Sequence, residues 1–312
     1  MAGEWSRRLA LAGGSALLGL FALELVVRLI EPREVIREYF ETPDPFLHHK
    51  FIPGARGRQK TTEFDATYAI NSFGLREREM SREKPAGVDR ILMVGDSFTE
   101  GVGVDAEETF SSRLEHLLNE RGFARRWQVI NAGVASYSPL LEYLYLKRGG
   151  LALQPDLVVL SFDLSDVYDD IEYTQLAEFD EQGEPVAVRA EPAREKGGWP
   201  FELAVAMKDV LKYHTRTYMF LRRRVGLYVE AIRVKRNFSG DVRLDKYAML
   251  RQDGAPLDDR GWSLTYTYML KIKDLLKARG IAFWTVLYPY GLQVSSREWG
   301  SGRQFWGFQG SI

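Results

Sequence analysis

The sequence predicts an α/β fold, a parallel sheet with helices on both faces, and three observations predict it. An apolar run at residues 90–94 (RILMV) leads through a Gly-Asp-Ser turn into residues 108–121, where Phe110, Leu114, Leu117 and Leu118 recur at helical spacing. Residues 157–162 (LVVLSF) are apolar but for Ser161, the near-continuous run of a strand covered on both faces. Strand and helix patterns keep alternating toward the C-terminus, the succession that gives parallel pairing through crossover helices.

Taken in order, the chain opens with an apolar segment that begins at Leu9 and ends at Ile30. Its length suffices to cross roughly 30 Å of hydrocarbon at about 1.5 Å per residue. Glu24 and Arg28 stand four apart near its far end, placed to pair on one helix face or to reach the interface by snorkelling. Arg7 and Arg8 precede the run, which predicts a cytoplasmic N-terminus, an uncleaved single-pass anchor over residues 1–30 and a main domain on the extracytoplasmic side, in the periplasm or at the cell surface. A cleaved signal peptide and a buried helix are the competing readings.

Residues 31–88 are polar and broken by Pro43, Pro45, Pro53 and Pro85, an irregular lead-in with one short strand near residues 67–70 before an Asn71-Ser72-Phe73-Gly74 turn. The main domain occupies residues 89–312. Its second strand falls at residues 127–130 and its second helix at 140–148, behind Pro139. A helix over about residues 263–279 closes at Gly280, and residues 281–288 (IAFWTVLY) form a fourth strand. An insertion at about 170–259 starts acidic and then carries Lys208, Lys212, Arg216 and Arg222 to Arg224. That basic stretch reads as the solvated face of a cap helix, with anionic headgroups or an acidic polymer as the alternative contact.

Composition narrows the function. Lys and Arg total 42 against 43 Asp and Glu, a net charge of −1 in 312 residues, so no basic field predicts a nucleic-acid partner. The absence of cysteine excludes thiol nucleophiles, zinc–cysteine sites and Fe–S clusters. The only histidines are His48, His49, His116 and His214. Asp163, Asp166, Asp169 and Asp170 cluster after the third strand and read as a polar loop, with Asp166 holding the site edge, rather than as a cation site; neither a metal nor another cofactor is expected.

The segment Gly95-Asp96-Ser97-Phe98-Thr99-Glu100-Gly101 stands at the carboxyl end of the first sheet strand, where open α/β sheets place ligand-binding residues. A serine on such a turn exposes its Oγ at the sheet edge and aims its backbone N–H toward a developing oxyanion. Together with Asn131-Ala132-Gly133 after the second strand and Ser165-Asp166 after the third, this block resembles the SGNH (GDSL) hydrolase superfamily. The resemblance implies a flavodoxin-like three-layer α/β/α sandwich and a serine ester hydrolase or O-acyltransferase working through an acyl-enzyme on Ser97. It implies an oxyanion hole made by the N–H groups of Ser97 and Gly133 with Ser165 at the family's asparagine position, supported by Asp96, Asn131 and Asp166.

The family's Asp-x-x-His block, which supplies the base, has no counterpart here, since no histidine follows His214. Three explanations stand: a C-terminally incomplete chain, recruitment of another histidine, or a non-catalytic relative. His116 reads as a surface or packing residue on the helix after the nucleophile, His48 and His49 as a loop pair open to a metal or substitute-base role, and His214 as part of the insertion. The lead-in segment Ile70-Asn71-Ser72-Phe73-Gly74-Leu75-Arg76 is similar to one in membrane-anchored bacterial members, which implies an acylated carbohydrate of the cell envelope or exopolysaccharide as substrate. The alternative is a non-catalytic envelope protein that binds glycan in the same cleft.

Overall fold

The computed structural model describes residues 2–30, 40–60, 64–190, 217–218 and 259–289. The chain divides into two units, Met1–Glu34 with Ala193–Ser239, and Val35–Pro192 with Gly240–Ile312.

In the first unit, α1 (Ala2–Ile30) forms where the apolar segment predicts a helix. The expected i,i+4 pair is made, with Arg28 Nε donating to Glu24 Oε1 at 2.7 Å, and Glu24 Oε2 accepts the Thr217 N–H at 2.9 Å. Leu18, Phe21 and Leu29 are exposed. Among the described residues no helix is long and apolar enough to cross a membrane, so the expected span is not supported. Gly13, Gly14, Ser15 and Gly19 dilute the apolar run, and the Glu24–Arg28 pair lies inside it.

The second unit opens with two antiparallel hairpins where an irregular lead-in is expected. β1 (Glu41–Asp44) pairs with β2 (His48–Phe51), and β3 (Arg56–Lys60) with β4 (Asp65–Ala69). On β4, Ala66 and Tyr68 are buried between exposed neighbours. They join Phe40, Phe51 and Ile70 in one apolar cluster with Val134, Tyr137 and Leu140 of the main domain. Each fully buried large apolar side chain contributes about 1.5–3 kcal/mol, so the hairpins are part of the body. The turn after β4 forms as expected: Asn71 Oδ1 accepts the N–H groups of Phe73 (2.9 Å) and Leu75 (3.0 Å), and Gly74 takes φ +75°, which glycine adopts without strain.

The main domain then runs β5 (Val88–Val94), α2 (Ser97–Glu100), α3 (Phe110–Glu120), β6 (Arg126–Asn131), α4 (Pro139–Arg148), β7 (Leu157–Phe162), α5 (Asp166–Leu176), a hairpin of β8 (Ala177–Phe179) and β9 (Pro185–Val188), α6 (Asp259–Lys277) and β10 (Ala282–Leu287). The parallel sheet has the order β10-β7-β5-β6. Alternation along the strands builds the layers. Ile91, Met93, Val129 and Val159 meet Phe110, Leu114 and Leu118 of α3 on one face. Leu92, Val94, Ile130, Val158 and Leu160 pack on the other face with Tyr143 and Leu146 of α4, Val167 of α5 and Ile272 and Leu276 of α6. This is the expected α/β/α sandwich.

One expectation changes here. The start of the insertion expected from about residue 170 lies in α5, which buries Asp166, Val167, Asp169, Asp170 and Tyr173 rather than leaving them solvated. Gly280, at φ +67°, follows the last turn of α6 as predicted. The basic stretch at Lys208, Lys212, Arg216 and Arg222 to Arg224, and His214 with it, lie outside the described residues, as do residues 290–312.

Candidate active site

The carboxyl edges of β5, β6 and β7 supply the site. β5 ends at Val94, and Gly95 follows in a place too tight for a side chain: a Cβ there would strike Thr99 Oγ1 and lie 3.0 Å from Ser161 Cβ. Asp96 caps α2 by accepting the Phe98 N–H at 2.9 Å. Ser97, the first residue of α2, is half-buried and donates from Oγ to Asp96 Oδ2 at 3.3 Å. Gly101, at φ +80°, ends the turn and returns its N–H to the carbonyls of Ser97 and Phe98. A cavity of about 330 Å³ opens beside Ser97, walled by Phe98, Val102, Val104, Glu108, Thr109 and Phe110. Tyr288 stacks on Phe98 with ring centres 5.7 Å apart.

The loop after β6 lies directly on this turn. Val134 donates its N–H to Gly95 O at 3.0 Å. A Cβ on Gly133 would strike the Glu100 backbone nitrogen and lie 2.6 Å from the Thr99 carbonyl carbon, so only glycine permits the approach. Gly133 is thus packed on the last residues of the turn that Ser97 opens. Its N–H, however, is donated to Asn131 Oδ1 at 3.0 Å, so Asn131 holds the donor that it was expected only to support.

The third loop shows the same difference. Ser165 donates both its N–H (2.5 Å) and its Oγ–H (2.6 Å) to Asp163 Oδ1, while the Asp163 N–H is donated to Asp166 Oδ2 at 3.0 Å. A serine hydroxyl has one proton to give, and here Asp163 receives it. Two of the three expected oxyanion donors are therefore engaged by neighbours within their own loops, and the Ser97 N–H stands as the third.

Behind the site lies a web of buried carboxyl groups. Burial, the charge of Asp163 and a hydrogen bond between the two side chains push the Asp96 carboxyl up to about 7. Burial likewise pushes Glu142 and Asp166 well above the carboxylate range, with the nearby carboxylates adding to it. Asp170 rises to about 6 by burial, against hydrogen bonds from Ser138, Thr265 and the Leu140 N–H. The polar loop expected at Asp163 to Asp170 is thus largely interior. Among the described residues no group of three or more His, Asp or Glu side chains could hold a metal ion.

The histidines take other parts. His48 and His49 share a hydrogen between their Nδ1 atoms at 2.9 Å, and His49 Nε2 bonds Ala135 O at 2.8 Å. Tyr137 donates to His49 O at 2.7 Å. His49 therefore braces the loop that carries Gly133, with its two ring nitrogens given to His48 and to Ala135 O. His116 lies on α3. Sequence reasoning passed over Glu100, whose Oε2 accepts the Ala135 N–H at 2.9 Å, and Arg76, which reaches the end of α2. Both stand inside the quoted segments, but their partners are remote in sequence.

The family model for GDSL-like lipases and acylhydrolases matches residues 93–262, more than half of the chain. The chain belongs to the GDSL-like lipase/acylhydrolase family. The match spans the Ser97, Gly133 and Ser165 blocks, so the family's blocks and the sheet edge coincide. No curated protein matches the chain. Among solved structures it is similar to a two-domain esterase active on acetylated mannans (20% identity, 24% of this chain and 20% of that one, TM-score 0.23). It is similar also to AlinE4, an SGNH-hydrolase family esterase (25% identity, 30% and 50%, TM-score 0.24), and to a GDSL-like lipase from Bacteroides thetaiotaomicron (12% identity, 66% and 72%, TM-score 0.25). The chain thus spans a fifth of the first of these and half of the second. The family assignment rests on the family model and the three blocks.

Proposed function

We propose that this GDSL-like domain cleaves or transfers acyl groups at ester bonds through Ser97, and that its substrate is an acylated carbohydrate. The observation that carries the reading is Ser97 itself, half-exposed on the strand-to-helix turn and lining a cavity in the matched block. In the reading, Ser97 Oγ attacks the acyl carbonyl, the bond to the alcohol breaks, the departing alcohol takes up the proton that Ser97 loses, and the acyl group rests on Ser97 until water or a sugar hydroxyl takes it and a proton returns to Oγ. The Ser97 N–H meets the oxyanion, and Gly133 and Ser165 join it by releasing Asn131 and Asp163. The carbohydrate class follows from the resemblance of the segment Ile70 to Arg76.

Turnover of a series of aryl esters tests the reading. Short acyl groups that fit about 330 Å³ are the expected substrates, and Ser97→Ala is expected to lower turnover by a factor of about 10³ or more. Equal turnover by Ser97→Ala and the parent overturns the reading, and glycan binding without turnover supports the non-catalytic alternative.

The exposed leucines of α1 and the preceding Arg7 and Arg8 support a second proposal, that the N-terminal helix holds the protein at a membrane with its main domain outside the cytoplasm. The full chain is expected to sediment with membranes and resist alkaline carbonate. A chain that begins after residue 34 is expected in the supernatant, and equal partition of the two contradicts the proposal.

A further inference from the structure

We propose that Arg76 and Glu100 are positioning residues that hold the Ser97 turn and the Gly133 loop in register; the inference rests on the reading of Ser97 as nucleophile. The need for such a brace comes from the length of α2. At four residues it is too short to be held by its own hydrogen bonds, since a helix gains stability only after its first turn is fixed. Its last carbonyls also need partners.

Arg76 supplies those partners. It is 1% exposed, and its Nη1 donates to Glu100 O at 3.0 Å and Gly101 O at 2.5 Å. Its Nη2 donates to Thr67 O at 2.9 Å and to Val104 O, and the guanidinium lies 3.8 Å over the Tyr68 ring. One planar fork thus ties the end of the nucleophile turn to β4 and to the chain that follows Gly101. Arginine offers this set of donors in fixed geometry, and lysine does not.

Glu100 completes the brace on the other side. It is fully buried, and its Oε2 accepts the Ala135 N–H at 2.9 Å, while His49 binds Ala135 O. Ala135 is held at both ends of its peptide, two residues after the glycine that packs on the Glu100 backbone. The separation between Ser97 and the Gly133 loop is therefore set by Glu100, and Glu100 is set by Arg76. A misplacement of about 1 Å between a nucleophile and its electrophilic partners is enough to cost about 100-fold in rate.

Labelling of the full chain with excess fluorophosphonate, followed by intact mass, separates positioning from folding. The amplitude counts competent molecules, and the rate reports the reactivity of each. Arg76→Met and Glu100→Ala are expected to label to the parent's amplitude at rates at least about tenfold lower. Glu100→Gln keeps an acceptor for Ala135 and is expected at the parent rate; Arg76→Lys keeps the charge without the fork and is expected in between. A lower amplitude at the parent rate overturns the proposal, because it marks a purely structural role. Where the Met or Ala variant does not fold, the Lys variant decides, and a parent-like rate for it overturns the proposal. A parent that labels no faster than Ser97→Ala removes the reading of Ser97, and the inference falls with it.

Discussion

Gly133→Ala is expected to damage both stability and reactivity more than any other single methyl added to the site. The new Cβ meets backbone, the Glu100 nitrogen and the Thr99 carbonyl carbon at 2.6 Å, and neither atom belongs to a side chain that can rotate away. Overpacking of this kind costs about 1–3 kcal/mol, a large part of the roughly 5–15 kcal/mol that holds a domain together. Relief requires that the loop lift off α2, which stretches the Val134-to-Gly95 and Ala135-to-Glu100 hydrogen bonds. The urea midpoint is expected to fall and the rate of Ser97 labelling to drop by about 100-fold. A variant that matches the parent in both measurements contradicts the packing described.

The second large effect is a dependence of stability on pH, set by the buried carboxyl web. Glu142 is 1% exposed, and neither of its carboxylate oxygens has a hydrogen-bond partner among the described residues. Burial, then the charges of Asp170, Asp96 and Asp163, push its carboxyl well above the usual range. The folded protein therefore keeps a proton that the unfolded chain has lost, and stability falls as pH rises from the unfolded value toward the folded one. Asp96 acts in the same direction. Burial and the neighbouring Asp163 raise its carboxyl from 3.8 to about 7, so it too withdraws stability as pH rises between those limits. Glu142→Gln replaces the acid by a neutral group of nearly the same shape. It is expected to leave the melting temperature near the parent's at pH 4 and to raise it increasingly toward pH 8. A difference independent of pH contradicts the assignment.

Much of this architecture is legible in the sequence because burial and period coincide. β7 is apolar at every position but Ser161, and it is buried from Val158 to Phe162. α3 shows its apolar stripe at helical spacing and meets one face of the sheet. The hairpins of the lead-in were missed because β1, β2 and β3 carry mostly polar or charged residues; their buried side chains acquire a core only when α4 and the loop after β6 fold against them. α5 was missed for the opposite reason, since its aspartates mark a solvated loop by composition yet lie inside. In the site, the Ser97 turn was legible because its letters and its place after a strand agree. The engagement of the Gly133 N–H by Asn131 and of the Ser165 hydroxyl by Asp163 was not, because spacing does not say which of two near acceptors a donor takes. Glu100 and Arg76 were hidden by contacts that close over 35 and 24 residues.

Ser97 is the proposed nucleophile of this GDSL-like domain. Peptide mapping after fluorophosphonate treatment tests it most directly. A single phosphonylated site is expected, at Ser97 and absent from Ser97→Ala; an unmodified Ser97 peptide, or equal adduct formation by the parent and Ser97→Ala, rules out the proposed nucleophile.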